Sequence, residues 1–300
     1  MSKIGLAVVS PAPLIRPNYV VNFANNCEAM GVDSMWTIDR VAYDNLEPLT
    51  MLAAAAGATQ RIRLGTSVLL GNLRHPSHLA KIVATLDFIS NGRMTLGLGF
   101  GSRESDYKAV EVPFDKRGSR AVEQVNLIKR LWTEENVTHT GKFFKVENLT
   151  IGPRPIQKPI PIWTGGSAEV ALKRAGIWAD GYICGSSAIP EFPQTWEKVA
   201  GFARAAGRNP DDIEKAGLTF MAVDEDHGKA VKTIENYMTR YYGKVRAEVA
   251  STSLVGSPGA IADRIRSFLS QGLDTLIIGV ADPDPRQLDL FGNKILPRLQ

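Results

Sequence analysis

A chain of 300 residues, 44% hydrophobic and 22% charged, is large enough for one big domain or two ordinary ones, and its apolar stretches fall far short of a membrane span. The 35 Lys and Arg against 31 Asp and Glu leave a formal charge of +4 with no basic run to concentrate it, which argues against nucleic acid as a partner. Two cysteines, Cys27 and Cys184, make neither a disulfide framework nor a CxxC pair and are expected as free thiols; with no apolar leader after Met1-Ser2-Lys3, a cytoplasmic location is expected.

In chain order, strand-like runs fall at 4–9, 34–38, 64–70, 94–98, 160–164, 181–184, 218–223 and 273–280, with helix-like segments between most of them. Short apolar runs of this kind suit parallel strands buried on both faces. The clearest unit spans 61–101. There Pro76 suits a first helical turn, Leu79, Ile82, Val83, Leu86 and Ile89 share one face, and Asn91-Gly92 supplies residues that tolerate positive φ before the next strand. Eight strands alternating with helices predict a (β/α)₈ barrel, a fold of about 250 residues with about 50 left for insertions. A doubly wound open sheet is the alternative.

No repeat or long linker divides the chain, so residues 1–300 are read as one barrel domain. The surplus length sits at 134–158, where Thr140-Gly141 forms a hairpin turn before Phe143-Phe144, and at 224–255, which carries Tyr237, Tyr241 and Tyr242. The second insertion leaves the seventh strand at the C-terminal face, where it can cover an active site.

Barrel enzymes place their chemistry at the C-terminal ends of strands, which brings forward Asp39 and Arg40 after the second strand. Asp39 either faces a polar ring edge, binds Arg40, or merely salt-bridges its loop. Arg40 cannot shuttle protons near neutral pH but can stabilise an anion. Gly97, Gly99 and Gly101 allow close backbone approach to a planar ring or polyol, although their spacing is not GxGxxG. Gly165-Gly166-Ser167 follows a strand and opens a helix, so its free N–H groups and hydroxyl converge on an anion. Cys184-Gly185-Ser186 forms the neighbouring wall. The four histidines lack metal spacing, with His75 and His78 expected to cap or face solvent, and no GxSxG or P-loop is present.

The runs at 61–68, His75-Pro76, Ala84 to Asp87, Ser90 to Arg93, Leu96 to Gly99, Pro113-Phe114 through Arg120, Leu131-Trp132, Pro159 to Trp163 and Ala179 to Gly181 together resemble the bacterial luciferase-like oxidoreductases, in family order and over nearly the whole chain. The resemblance implies FMN or the deazaflavin coenzyme F-420 as cofactor. It implies an acidic residue at Asp39 facing that cofactor, a bulge at Thr66, Ser67 and Val68 with a cis Ser67–Val68 peptide propping the ring, and guanidinium groups of Arg103 and Arg120 near its phosphate. Many relatives carry a catalytic His where this chain has Arg40. The leading expectation is a monooxygenase using reduced FMN and oxygen on a small organic substrate, with the flavin delivered by a separate NAD(P)H-dependent flavin reductase. Alternatives are F-420-dependent hydride transfer and a flavin-binding protein without turnover. A homodimer is implied by the same resemblance.

Overall fold

Runs that lack polar alternation become strands with both faces covered. The structure, a computed structural model that describes residues 3–299, contains eight of them: β1 (Lys3–Val8), β2 (Ser34–Thr37), β3 (Arg63–Thr66), β4 (Met94–Gly99), β5 (Ile162–Gly165), β6 (Gly181–Gly185), β7 (Glu214–Val223) and β8 (Thr275–Val280). They pair in parallel in that order. Leu6 of β1 lies opposite Ile278 of β8, so the sheet closes on itself and the doubly wound alternative is excluded. The fold is the (β/α)₈ barrel.

The long helices of the outer ring are α1 (Tyr19–Met30), α2 (Pro48–Ala58), α3 (Pro76–Ile89), α4 (Arg117–Thr133), α5 (Glu169–Trp178), α6 (Phe192–Ala205), α7 (His227–Tyr242) and α8 (Pro258–Leu269). Pro76 opens α3 as expected, and His75 accepts the Ser77 N–H at its start. Asn91 and Gly92 end it at φ 56° and 77°. The periodicity placed Ile89 on the buried face, but it is the last residue of α3, where the chain is already turning, and it stands 48% exposed.

Two apolar layers hold the barrel. Outside the strands, Leu6, Met35, Leu64, Leu96 and Ile162 pack in one cluster with Phe23, Leu52, Val83, Ile128 and Leu172 from the helices. Truncating such a leucine to alanine costs about 2–5 kcal/mol. The other cluster gathers Trp36 of β2 and Trp163 of β5, their ring centroids 5.1 Å apart, with Ile183, Phe220 and Ile277. The indole of Trp36 lies so close to β3 that a Cβ on Gly65 would come within 2.4 Å of it, which is why that strand position is glycine.

Polar ties fix the connections. Arg93 donates to the carbonyls of Ala56, Thr59, Ile62 and Ser90, stitching the end of α2 to the end of α3. The hairpin Val137–Thr140 with Lys145–Leu149 occupies the first expected insertion. Glu123 of α4 holds its turn by accepting the N–H groups of Lys142, Phe143 and Phe144. The second insertion is built around α7, whose Asp226 cap accepts from Gly228 and Lys229.

Candidate active site

The C-terminal ends of the strands open into a cleft of about 740 Å³, within the range of small-molecule sites. The predicted strand at 64–70 is broken there. It runs as Arg63–Thr66, is interrupted at Ser67 and Val68, and resumes as Leu69–Leu70, which pairs with β4. The Ser67–Val68 peptide is cis. Ser67 N–H donates to Thr37 O at 2.8 Å, while its Oγ is buried with no partner among the described residues. Across the cleft at the end of β6, a side chain on Gly185 would meet nothing within 4 Å, so its absence leaves the cavity clear.

Both carboxylates of the cleft are engaged. Asp39 Oδ2 accepts from Leu70 N–H at 2.9 Å and from Arg74 at 2.6 Å, and Arg74 also reaches Glu47 at 2.9 Å. Burial alone would lower the Arg74 guanidinium, but Asp39 and Glu47 outweigh it and hold it above its ordinary pKa. Within the protein Asp39 makes the loop salt bridge, and its cation is Arg74 instead of Arg40. Arg40 pairs with Asp106, which also accepts the N–H groups of Val41 and Ala42.

Two groups of cations line the cleft. In the first, Arg117 donates from Nε to Gly101 O and stacks on Phe114, while Arg174 of α5 stands over Phe100; Lys116 precedes them in the chain. None of the three has a carboxylate partner among the described residues. Burial and then the charge of Arg117 push the Arg174 guanidinium below its ordinary pKa. Two like charges converging without a counterion in a glycine-lined cleft suit an anionic ligand.

In the second group, Arg40 and Arg103 both lie against the Tyr241 ring of α7, at 5.7 and 5.0 Å from its centroid. Tyr241 stacks in turn on Tyr237, one helical turn earlier, and meets Tyr43 and Tyr242 edge-on. Burial raises the Tyr241 phenol above its ordinary pKa, against the opposing pull of Arg103 and Arg40.

The cleft therefore brings together Asp39, Arg40, Ser67, Val68, Gly99, Gly101, Arg103, Gly165, Gly166, Ser167 and Gly185 from the sequence-based set. Three others stand away from it. Thr66 is buried behind the wall, donating to Gly97 O, and Cys184 is buried with its thiol turned to Gly185 O. Arg120 faces the Phe143 and Phe144 rings of the hairpin. The cleft cations that sequence reasoning missed are Lys116, Arg117 and Arg174. The signals were there: Lys116 caps α4 and Arg117 opens it, and Arg174 follows Ser167 by two helical turns on the helix that the Gly165 to Ser167 turn leads into. Asp106 carried no local signal, because only the fold brings it to Arg40. No histidine lines the cleft. No helix of the described residues is long and apolar enough to cross a membrane.

A barrel with a broken third strand and a cationic cleft at its C-terminal face matches the motifs of 61–101, and the sequence profile of the luciferase-like monooxygenase family covers residues 2–275. The chain belongs to this family of oxidoreductases. It is 31% identical to an F-420-dependent glucose-6-phosphate dehydrogenase of Microbacterium testaceum (strain StLB037), over 95% of this chain and 94% of that one. In fold it is similar to an F-420-dependent secondary alcohol dehydrogenase solved with an F-420–acetone adduct, with a TM-score of 0.89 and 21% identity over 100% of this chain and 99% of the other. It is also similar to the oxygenating constituent of 3,6-diketocamphane monooxygenase of Pseudomonas putida in complex with FMN, with a TM-score of 0.80 and 19% identity over 100% and 99% of the two chains.

Proposed function

We propose that this chain is a coenzyme F-420-dependent oxidoreductase that exchanges a hydride with a carbon of a small organic substrate. The observation that carries the reading is the set of Lys116, Arg117 and Arg174 beside the Gly165 to Ser167 turn, three cations with no carboxylate partner among the described residues. The tail of F-420 bears a phosphodiester followed by carboxylates and calls for several fixed cations, whereas the single terminal phosphate of FMN calls for fewer. The names of similar proteins, F-420-dependent dehydrogenases among them, support the same choice. In this reading the expected FMN, oxygen and partner flavin reductase drop out of the reaction.

The ring end of the cleft fits a planar cofactor. Val68, Ile38 and Ile183 give apolar walls, Gly185 leaves the space open, and the unpartnered Ser67 Oγ offers a hydrogen bond to a polar ring edge. When bound, the deazaflavin supplies or accepts the hydride. The protein's work is then positional: Lys116, Arg117 and Arg174 hold the tail, the bulge at Ser67 and Val68 sets the ring, and Arg40, Arg103 and Tyr241 face the substrate.

The test is an anaerobic titration of the purified protein with F-420 and with FMN, oxidised and reduced, read by absorbance and fluorescence. F-420 is expected to bind at least about tenfold more tightly, a difference of about 1.4 kcal/mol, with no change when oxygen is admitted. Tighter binding of reduced FMN, followed by oxygen consumption, would overturn the reading in favour of a monooxygenase.

A further inference from the structure

We infer that the substrate end of the cleft is built to reduce a carbon–carbon double bond conjugated to a carbonyl, and not to oxidise an alcohol; the inference rests on the F-420 reading above. Oxidising an alcohol requires a base to take the hydroxyl proton as the hydride departs. The cleft has no such group at hand. No histidine lines it, Asp39 is occupied by Arg74 and the Leu70 N–H, and Asp106 is occupied by Arg40 and the N–H groups of Val41 and Ala42.

What remains beside the substrate is a set of donors. Arg103 has no carbonyl or carboxylate acceptor among the described residues and lies against the Tyr241 and Tyr242 rings. Arg40 uses Nε for Asp106 and Nη2 for Ala42 O, which leaves Nη1 over. Burial holds the Tyr241 phenol above its ordinary pKa despite the nearby Arg103 and Arg40, and the charge of Asp106 adds to the rise. Preorganised donors of this kind stabilise an oxygen that becomes negative during the reaction. They also repel a cationic acceptor such as an iminium.

When bound, the reduced deazaflavin would supply the hydride that forms a C–H bond at the β-carbon, while the π pair moves through the α-carbon onto the carbonyl oxygen. That enolate oxygen faces Arg103 and Tyr241. The α-carbon then takes a proton from the Tyr241 phenol, which is reprotonated from solvent, and the proton that the cofactor would release on giving up its hydride returns to solvent, so the products are the saturated carbonyl compound and the oxidised cofactor.

The test uses 2,6-difluorophenol, whose phenolate mimics the enolate and whose fluorine NMR shift separates phenol from phenolate. Bound to the F-420-loaded protein below its own pKa, it is expected as phenolate. Arg103→Ala and Tyr241→Phe are each expected to weaken its binding about tenfold or more. In parallel, 2-propanol and glucose 6-phosphate are expected to leave the absorbance of bound F-420 unchanged. A phenol bound neutral, phenolate binding indifferent to both Arg103→Ala and Tyr241→Phe, or reduction of F-420 by either alcohol would each overturn the inference. A fluorescence titration of F-420 accompanies the series, and its failure would sink the cofactor reading instead.

Discussion

Arg40 and Asp106 lie 66 positions apart in the chain and meet as an ion pair, Nε to Oδ2 at 2.7 Å, with side chains only 8% and 2% exposed. The pair joins the loop after β2 to the segment after β4, and Asp106 extends the tie to the Val41 and Ala42 backbone. Breaking a buried pair leaves the surviving charge uncompensated. Asp106→Ala is therefore expected to destabilise the fold by about 3–5 kcal/mol, read by urea unfolding, and Asp106→Asn by less because it keeps an acceptor for the two N–H groups. An alanine variant with a wild-type midpoint would remove the anchoring role.

Charge reversal at Arg174 bears on the proposed F-420 site. Arg174→Glu places a carboxylate against a ligand held by Lys116 and Arg117 and is expected to weaken F-420 binding by about a hundredfold or more. Arg174→Ala is expected to lose about tenfold and to flatten the salt dependence of affinity measured by fluorescence titration. Unchanged binding in both variants would place the tail elsewhere.

Glu123 links acid stability to the hairpin. Burial would raise its carboxyl, but the His139 ring and the N–H groups of Phe144 and Phe143 outweigh burial and hold it below the usual carboxylate range. A group lowered on folding contributes stability that is complete above its unfolded pKa and is lost as the pH falls through the folded value. Thermal melts of wild type are expected to fall through that acidic window, and the Glu123→Gln melts to fall less steeply there. Parallel curves for the two proteins would count against this account.

Asp87 is fully buried and accepts the N–H groups of Ile156 and Gln157 as well as the Gln157 side-chain amide. Alanine at this position leaves two backbone donors without their acceptor beside β4. A loss of about 2–4 kcal/mol is expected in chemical denaturation, together with faster hydrogen exchange at those two amides. Exchange rates unchanged by Asp87→Ala would contradict it.

Elements defined by local pattern were legible in the sequence: the eight strands, the start and stop of α3, and the Gly165 to Ser167 turn each rest on residues within one turn of one another. The break in the third strand was visible only through the family resemblance, since Thr66, Ser67 and Val68 are ordinary strand formers. Long-range partners were not legible. Nothing near Asp39 announces Arg74, and Arg120 carries the same charge as Arg117 yet turns to Phe143 and Phe144, a choice made by the hairpin and not by the residue. Side-chain direction on α4 decides which arginine reaches the cleft, and that direction is a property of the closed barrel.

Pairing of Leu6 with Ile278 has a kinetic corollary. On the ribosome, β1 emerges first and presents an unsatisfied edge until β8 leaves the exit tunnel, so an aggregation-prone strand is exposed throughout synthesis. Contacts between chain ends so far apart also slow the search for the native state. Recombinant yield of this chain should therefore respond more to temperature and chaperone supply during expression than to the stability of the finished barrel.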